Sequence, residues 1–139
     1  MNATDASECI SACERLAIGS YSLMDHGNYA ECAAQFATSG IWVRGGKPFT
    51  GPDEILAALE QRPPNQLSRH IVTNIIVRPV DAESAEATAL FVPLRGAKED
   101  AGLAQLEPPM TVGDLHFEFV REAGQWRIAK LTPQSVFKV

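Results

Sequence analysis

The sequence predicts an α+β domain. Helical patterning fills most of the first sixty residues, and alternating strand patterning fills most of the rest. No internal repeat, low-complexity tract or linker divides them. Helices segregated from a meander of strands give α+β rather than an alternating α/β sheet.

The first helix is read from Ile10, Cys13, Leu16, Ala17, Tyr21 and Met24, which recur at three- and four-residue spacing over about residues 6–25. Asp5 and Glu8 have the spacing of a capping box at its start. Gly27 suits the left-handed position that ends it. NYAECAAQFA predicts a second, shorter helix with Tyr29, Cys32, Ala33 and Phe36 inward, broken by Thr38-Ser39-Gly40. GIWVRGGKPFTG reads as two short strands about Gly45-Gly46. Pro52 then opens a third helix with Asp53 and Glu54 in its first turn, where the helix dipole favours acids. Pro63-Pro64 stops it.

Residues 68–80, SRHIVTNIIVRPV, form a strand pattern. Uninterrupted alternation puts Ser68, His70, Val72, Asn74 and Ile76 on one face, with Arg69, Ile71, Thr73, Ile75 and Val77 on the other. Both faces are largely apolar, so His70 faces a core or a pocket. SAEATALFVPLR is the next strand, with Pro93 implying an edge or a bulge. Residues 96–110 have no period, and read as a lid or a plain connection. A hairpin about Ala123-Gly124 follows. Its first strand sets Leu115, Phe117 and Phe119 against Asp114, His116 and Glu118; Trp126 and Ile128 anchor the second. QSVFKV extends the last strand. Leu115, Phe117 and Phe119, if uncovered, imply self-association.

The length, 139 residues, suits one domain, 1–139, with a real core. A net charge of −5 and the lack of a basic cluster argue against a nucleic-acid partner. The N-terminal residues lack a secretory pattern, and no apolar run approaches membrane-spanning length, so the expected location is cytoplasmic with no membrane partner. Cys9, Cys13 and Cys32 read as reduced, apolar-packed thiols. With no CxxC, no fourth ligand at metal spacing and no glycine-rich nucleotide loop, neither metal nor cofactor is expected.

MDHGNY with its late-helix Asp25, RHIVTN with His70 and Asn74, and FVREAGQWRIAKLTP together resemble the nuclear transport factor 2-like (NTF2-like) superfamily, in its SnoaL-like and scytalone dehydratase-like branch. The likeness spans nearly the whole chain. It implies a cone: a strongly bent antiparallel or mixed sheet around a pocket, closed by three N-terminal helices. It also implies that Asp25 orients His70, which transfers protons, and that His116 takes the place of a pocket asparagine. Relatives form dimers and trimers, so a homo-oligomer is implied. The chain departs from the dehydratase pattern at Met24 and Val43, where that pattern has tyrosines, and at Leu94, where it has histidine.

The chemistry expected of the pair is general acid–base catalysis. An imidazole titrates near neutrality, and a carboxylate on one ring nitrogen fixes the tautomer and stabilises the imidazolium. His70 would be base and then acid, with Asp25 its orienting partner. His116 and Asn74 are candidate donors to a substrate oxygen, although Asn74 lies about 13 Å along the strand. Tyr21, one turn before Asp25, is a further candidate. A carboxylate at a helix C-terminus opposes the dipole, which favours a role for Asp25 beyond capping. Each has a plain alternative: Tyr21 in the core, His116 on a solvated face, His70 bound to a backbone carbonyl. Three functions fit. They are a cofactor-independent lyase, most simply a dehydratase, acting on a hydroxylated cyclic, aromatic or steroid/polyketide-like small molecule; an isomerase or polyketide-type cyclase using the same pair; and a non-catalytic small-molecule-binding or assembly module.

Overall fold

The computed structural model describes residues 1–138. In chain order the elements are α1 (Ala3–Asp25), α2 (Tyr29–Ala33), β1 (Phe36–Arg44), β2 (Lys47–Thr50), α3 (Gly51–Glu60), β3 (Gln66–Asp81), β4 (Ser84–Ala97), β5 (Thr111–Glu122) and β6 (Gln125–Lys138). The architecture is α+β. Its single six-stranded sheet runs β2-β1-β6-β5-β4-β3. Among the described residues only β1 and β6 pair in parallel. The sheet is curled but not closed, leaving β2 and β3 as its edges. No helix among the described residues is long and apolar enough to cross a membrane.

The core lies between α1 and the concave face of the sheet. Cys9, Cys13, Leu16, Ala17, Tyr21 and Met24 form the buried stripe of α1. The sheet answers with Leu115, Phe117 and Phe119 on β5 and Ile128 and Leu131 on β6. On β4, Ala85, Ala87 and Ala89 stand directly opposite Phe119, Phe117 and Leu115. Small beside large lets the strands share one packed layer without overfilling it. These aromatics are therefore covered within the monomer, which removes the ground on which they implied association. The large apolar side chains left exposed on β3 are Ile71, Ile76 and Val80.

Several local expectations are corrected. Asn2, not Asp5, caps α1, its side chain accepting from the Asp5 amide at 2.8 Å. The second helix ends at Ala33, and Phe36 to Ser39 belong to β1. Phe36 pairs with Ile128 on β6, ninety-two residues later, and that pairing overrides local helix propensity. Gly40 bends β1 rather than ending a helix. The register shifts between Phe36 and Ile41, and a side chain at Gly40 would meet the Ile128 carbonyl at 2.7 Å. Gly27 does take the left-handed conformation after α1, at φ +76°. The last strand does extend through the tail, as far as Lys138.

The largest correction concerns β3. Its register with β4 shifts between Thr73 and Ile76, and Asn74 sits in the shift with φ +55°. A bulge inserts a residue and switches the alternation. Ser68, His70 and Val72 face inward before it, and Ile75 and Val77 after it, while Asn74 and Ile76 are exposed. Residues 98–110 connect β4 to β5. They are tied back by a Gly96–Leu106 bridge and by the Glu107 amide donating to the Arg95 carbonyl at 2.9 Å.

Candidate functional site

α1 ends where β3 begins its inward-facing run, and this junction builds the site. The Asp25 carboxylate uses both oxygens on β3. Oδ1 accepts from the His70 Nδ1–H at 2.6 Å and from the Ser68 hydroxyl at 2.7 Å. Oδ2 accepts from the His70 backbone amide at 2.7 Å. That amide is free because β3 is a sheet edge, so the N–H that points away from β4 needs another partner. Pro93 stands opposite His70, beyond Phe91, where the β4–β5 pairing ends. A proline there forfeits no ladder bond to β5.

The pair is shielded: the side chains of Asp25 and His70 are 5% and 12% exposed. Burial pushes the Asp25 carboxyl up, but hydrogen bonds and charge from His70, with the Ser68 and His70 amide bonds, outweigh it and hold the group below the usual carboxylate range. The same bonds offset the unfavourable dipole at the α1 C-terminus. A carboxylate can only accept, so Nδ1 carries the ring proton and the neutral imidazole presents its lone pair at Nε2. Among the described residues Nε2 has no hydrogen-bond partner, and the ring borders a cavity of about 270 Å³.

Tyr21 and Phe91 line that cavity next to the imidazole and next to each other, their ring centroids 6.1 Å apart. The Tyr21 ring centroid lies 4.8 Å from the His70 ring, and Phe91 stacks parallel to it at 6.5 Å. Burial pushes the Tyr21 phenol far above its ordinary value, so it stays protonated and can donate. Trp42, Thr111 and Pro109, the last from the β4–β5 connection, also line the space.

Three sequence-chosen residues are thus brought together: Asp25, His70 and Tyr21. Two are not. His116 is exposed on the outer face of β5, beside Thr88 and Glu86 of β4, because Leu115 and Phe117 take the inward positions. Asn74 is turned outward by the bulge. Neither borders the His70 cavity. Conversely, the sequence reading missed Ser68 as a partner of Asp25, and it missed Arg62. The Arg62 guanidinium donates to Ser68 Oγ at 2.7 Å, to the Met24 carbonyl at 3.1 Å and to Tyr29 Oη at 3.4 Å. An Arg62–Ser68–Asp25–His70 chain results. The only signal for it was Ser68, two residues before His70 and hence on its face.

The three cysteines are buried and unpaired by disulfides. Burial pushes the Cys32 thiol up to about 12, and it donates to the Ser20 carbonyl.

A family profile described as a SnoaL-like domain matches residues 5–132. Comparison with curated protein sequences returns no match. Among solved structures, the chain is similar to a putative scytalone dehydratase from Novosphingobium aromaticivorans DSM 12444, with TM-score 0.76 and 18% identity over 94% of this chain and 85% of that one. It is similar to the hexachlorocyclohexane dehydrochlorinase LinA-type3 from Novosphingobium barchaimii LL02, with TM-score 0.84 and 18% identity over 99% and 93%. ActVI-ORFA from Streptomyces coelicolor gives TM-score 0.75 and 16% identity over 92% and 97%. At these identities the likeness is one of fold, and the fold is NTF2-like.

Proposed function

Since the chain belongs to the SnoaL-like domain family, we propose that it is a cofactor-independent lyase of dehydratase type acting on a hydroxylated cyclic, aromatic or steroid/polyketide-like small molecule. One observation carries this reading: a shielded imidazole whose Nδ1 is held by a carboxylate while its ring borders a cavity and its Nε2 has no partner among the described residues. Nε2 takes a proton from the carbon next to a carbonyl. The C–H electrons form the new C=C bond as the C–O bond breaks. The imidazolium returns its proton to the departing hydroxide, which leaves as water, and the ring is neutral again. Asp25 stays ionised and stabilises the transient imidazolium. Tyr21 donates to the carbonyl oxygen as negative charge develops there. Such acid–base work contributes about 10²–10⁴-fold. Two of the similar structures are named for eliminations, a dehydratase and a dehydrochlorinase, which supports the reaction class.

The test is a panel of hydroxylated mono- and polycyclic ketones in deuterated water, followed by mass spectrometry. Loss of one water that requires both His70 and Asp25 is the expected result. A product that loses no water and is heavier only by solvent deuterium at a new carbon would reassign the pair to an isomerase or cyclase. Binding without turnover, unchanged in Asp25→Asn and His70→Ala, would make the protein a binding module. Exposed Ile71, Ile76 and Val80 on the outer face of β3 support a homo-dimer or trimer, which sedimentation tests.

A further inference from the structure

The cavity beside His70 is lined by three arginines and by no acid. Arg44 comes from the end of β1, Arg62 from just beyond α3, and Arg95 from β4. Register explains the convergence. Arg95 stands opposite Ser68, two residues from the His70–Pro93 pair, so it shares the imidazole's face. Arg44 follows Trp42 by two residues, and both border the cavity.

The three are not equivalent. Arg62 is half-buried and committed to Ser68, Met24 and Tyr29. Arg44 lies over the Trp42 ring at 5.5 Å and donates to the Ala58 carbonyl at 3.3 Å. The Arg95 guanidinium has no hydrogen bond or ion pair among the described residues. Arg44 and Arg95 are both exposed, which places them at the mouth. Partial burial, then the nearby charge of Arg62, hold Arg44 below its usual value. The Asp25 carboxylate is taken by His70 and Ser68. A chain of net charge −5 therefore gathers three cations around one opening without a counter-charge on its lining.

We propose that the substrate carries a carboxylate, held at the cavity mouth by Arg95 and Arg44 while its ring rests against Phe91 and Trp42. A planar carboxylate matches the guanidinium fork, and the apolar walls suit a ring. Anchored there, the molecule enters with one fixed end, and the reacting carbon is delivered to Nε2. This inference rests on the catalytic reading above, but its test needs no turnover.

The test is calorimetric titration of the intact protein with naphthoate and with its neutral isostere naphthamide, with the His70 ring signals followed by NMR. Naphthoate is expected to bind at least about tenfold more tightly, as for a hydrogen bond to a charged group. Its affinity should fall with added salt. Arg95→Gln and Arg44→Gln should each weaken naphthoate about tenfold and leave naphthamide unchanged, while Arg95→Lys keeps part of the preference. Equal affinity for the two ligands, or equal losses of both in the arginine variants, overturns the inference. If naphthamide still moves the His70 signals, the catalytic pocket survives that failure. If neither ligand moves them, both readings fall.

Discussion

Removing one hydroxyl should loosen the whole Asp25 cluster. Ser68 is buried, donates to Asp25 Oδ1 at 2.7 Å and accepts from Arg62 Nη2 at 2.7 Å. Ser68→Ala deletes both bonds and fills their place with a methyl group. A hydrogen bond to a charged group contributes about 1.5–3 kcal/mol. Here each charged partner keeps others: Asp25 retains the His70 ring and amide, and Arg62 retains Met24 and Tyr29. Each deleted bond therefore contributes less than that range, about 1 kcal/mol, and the combined loss should be about 2 kcal/mol. The charge of Asp25 is what makes the bond strong. In an Asp25→Asn background the same serine bond is nearly an ordinary one, and the loss should fall to about 1 kcal/mol. The coupling between the two sites is then about 1 kcal/mol. Urea unfolding of the four proteins at neutral pH measures it, provided the slope stays constant across them. A Ser68→Ala loss below about 0.5 kcal/mol, or strict additivity with Asp25→Asn, would refute the linked cluster.

Acid should find the same site. The folded-state pKa of Asp25 is depressed, so its stabilisation is present above the ordinary carboxylate value and is lost as pH falls through the folded value. The stability gap between wild type and Asp25→Asn should narrow from neutral pH to about pH 3, and parallel profiles would count against it. Gly40→Ala should cost about 1–3 kcal/mol, because the new Cβ meets backbone at 2.7 Å and 3.0 Å that cannot swing aside; an unchanged melting temperature would contradict the strand bend. His116→Ala should leave stability within about 0.5 kcal/mol and leave substrate turnover intact, since the side chain is exposed on the far face of the sheet. A large loss of turnover would return His116 to the site.

What the sequence conveyed was whatever short-range pattern controls. The α1 stripe, Gly27 at its end and the tight turns at Gly45-Gly46 and Ala123-Gly124 all depend on neighbours within four residues. So does the geometry that sets Tyr21 one turn before Asp25. What it withheld was set by distant strands. Phe36 joins β1 because β6 is there to receive it. Asn74 carries no visible mark of a bulge, since asparagine is common in loops and tolerable in strands; only the two-sided apolar run of β3 hinted that its alternation need not be continuous. Ser68 looked like one inward residue among several until Asp25 arrived from forty-three positions earlier. The arginines were invisible for a related reason. Their long side chains leave three separated elements and meet only in the folded chain, and singly each reads as an ordinary surface charge.

The divided duty of the Asp25 carboxylate has a consequence for how this site could change. One oxygen holds the His70 main chain, whatever side chain that position bears, and the other holds the ring. Chemistry and anchorage are therefore separable at position 70 but fused at position 25. Replacing His70 with alanine would silence the proposed proton transfer while leaving α1 pinned to the free edge of β3. Replacing Asp25 with alanine would unpin that edge and silence the ring together. A lineage could shed catalysis through His70 in a single step and keep an intact, ligand-sized hollow. The reverse route, gaining the base on an already pinned edge, is equally short.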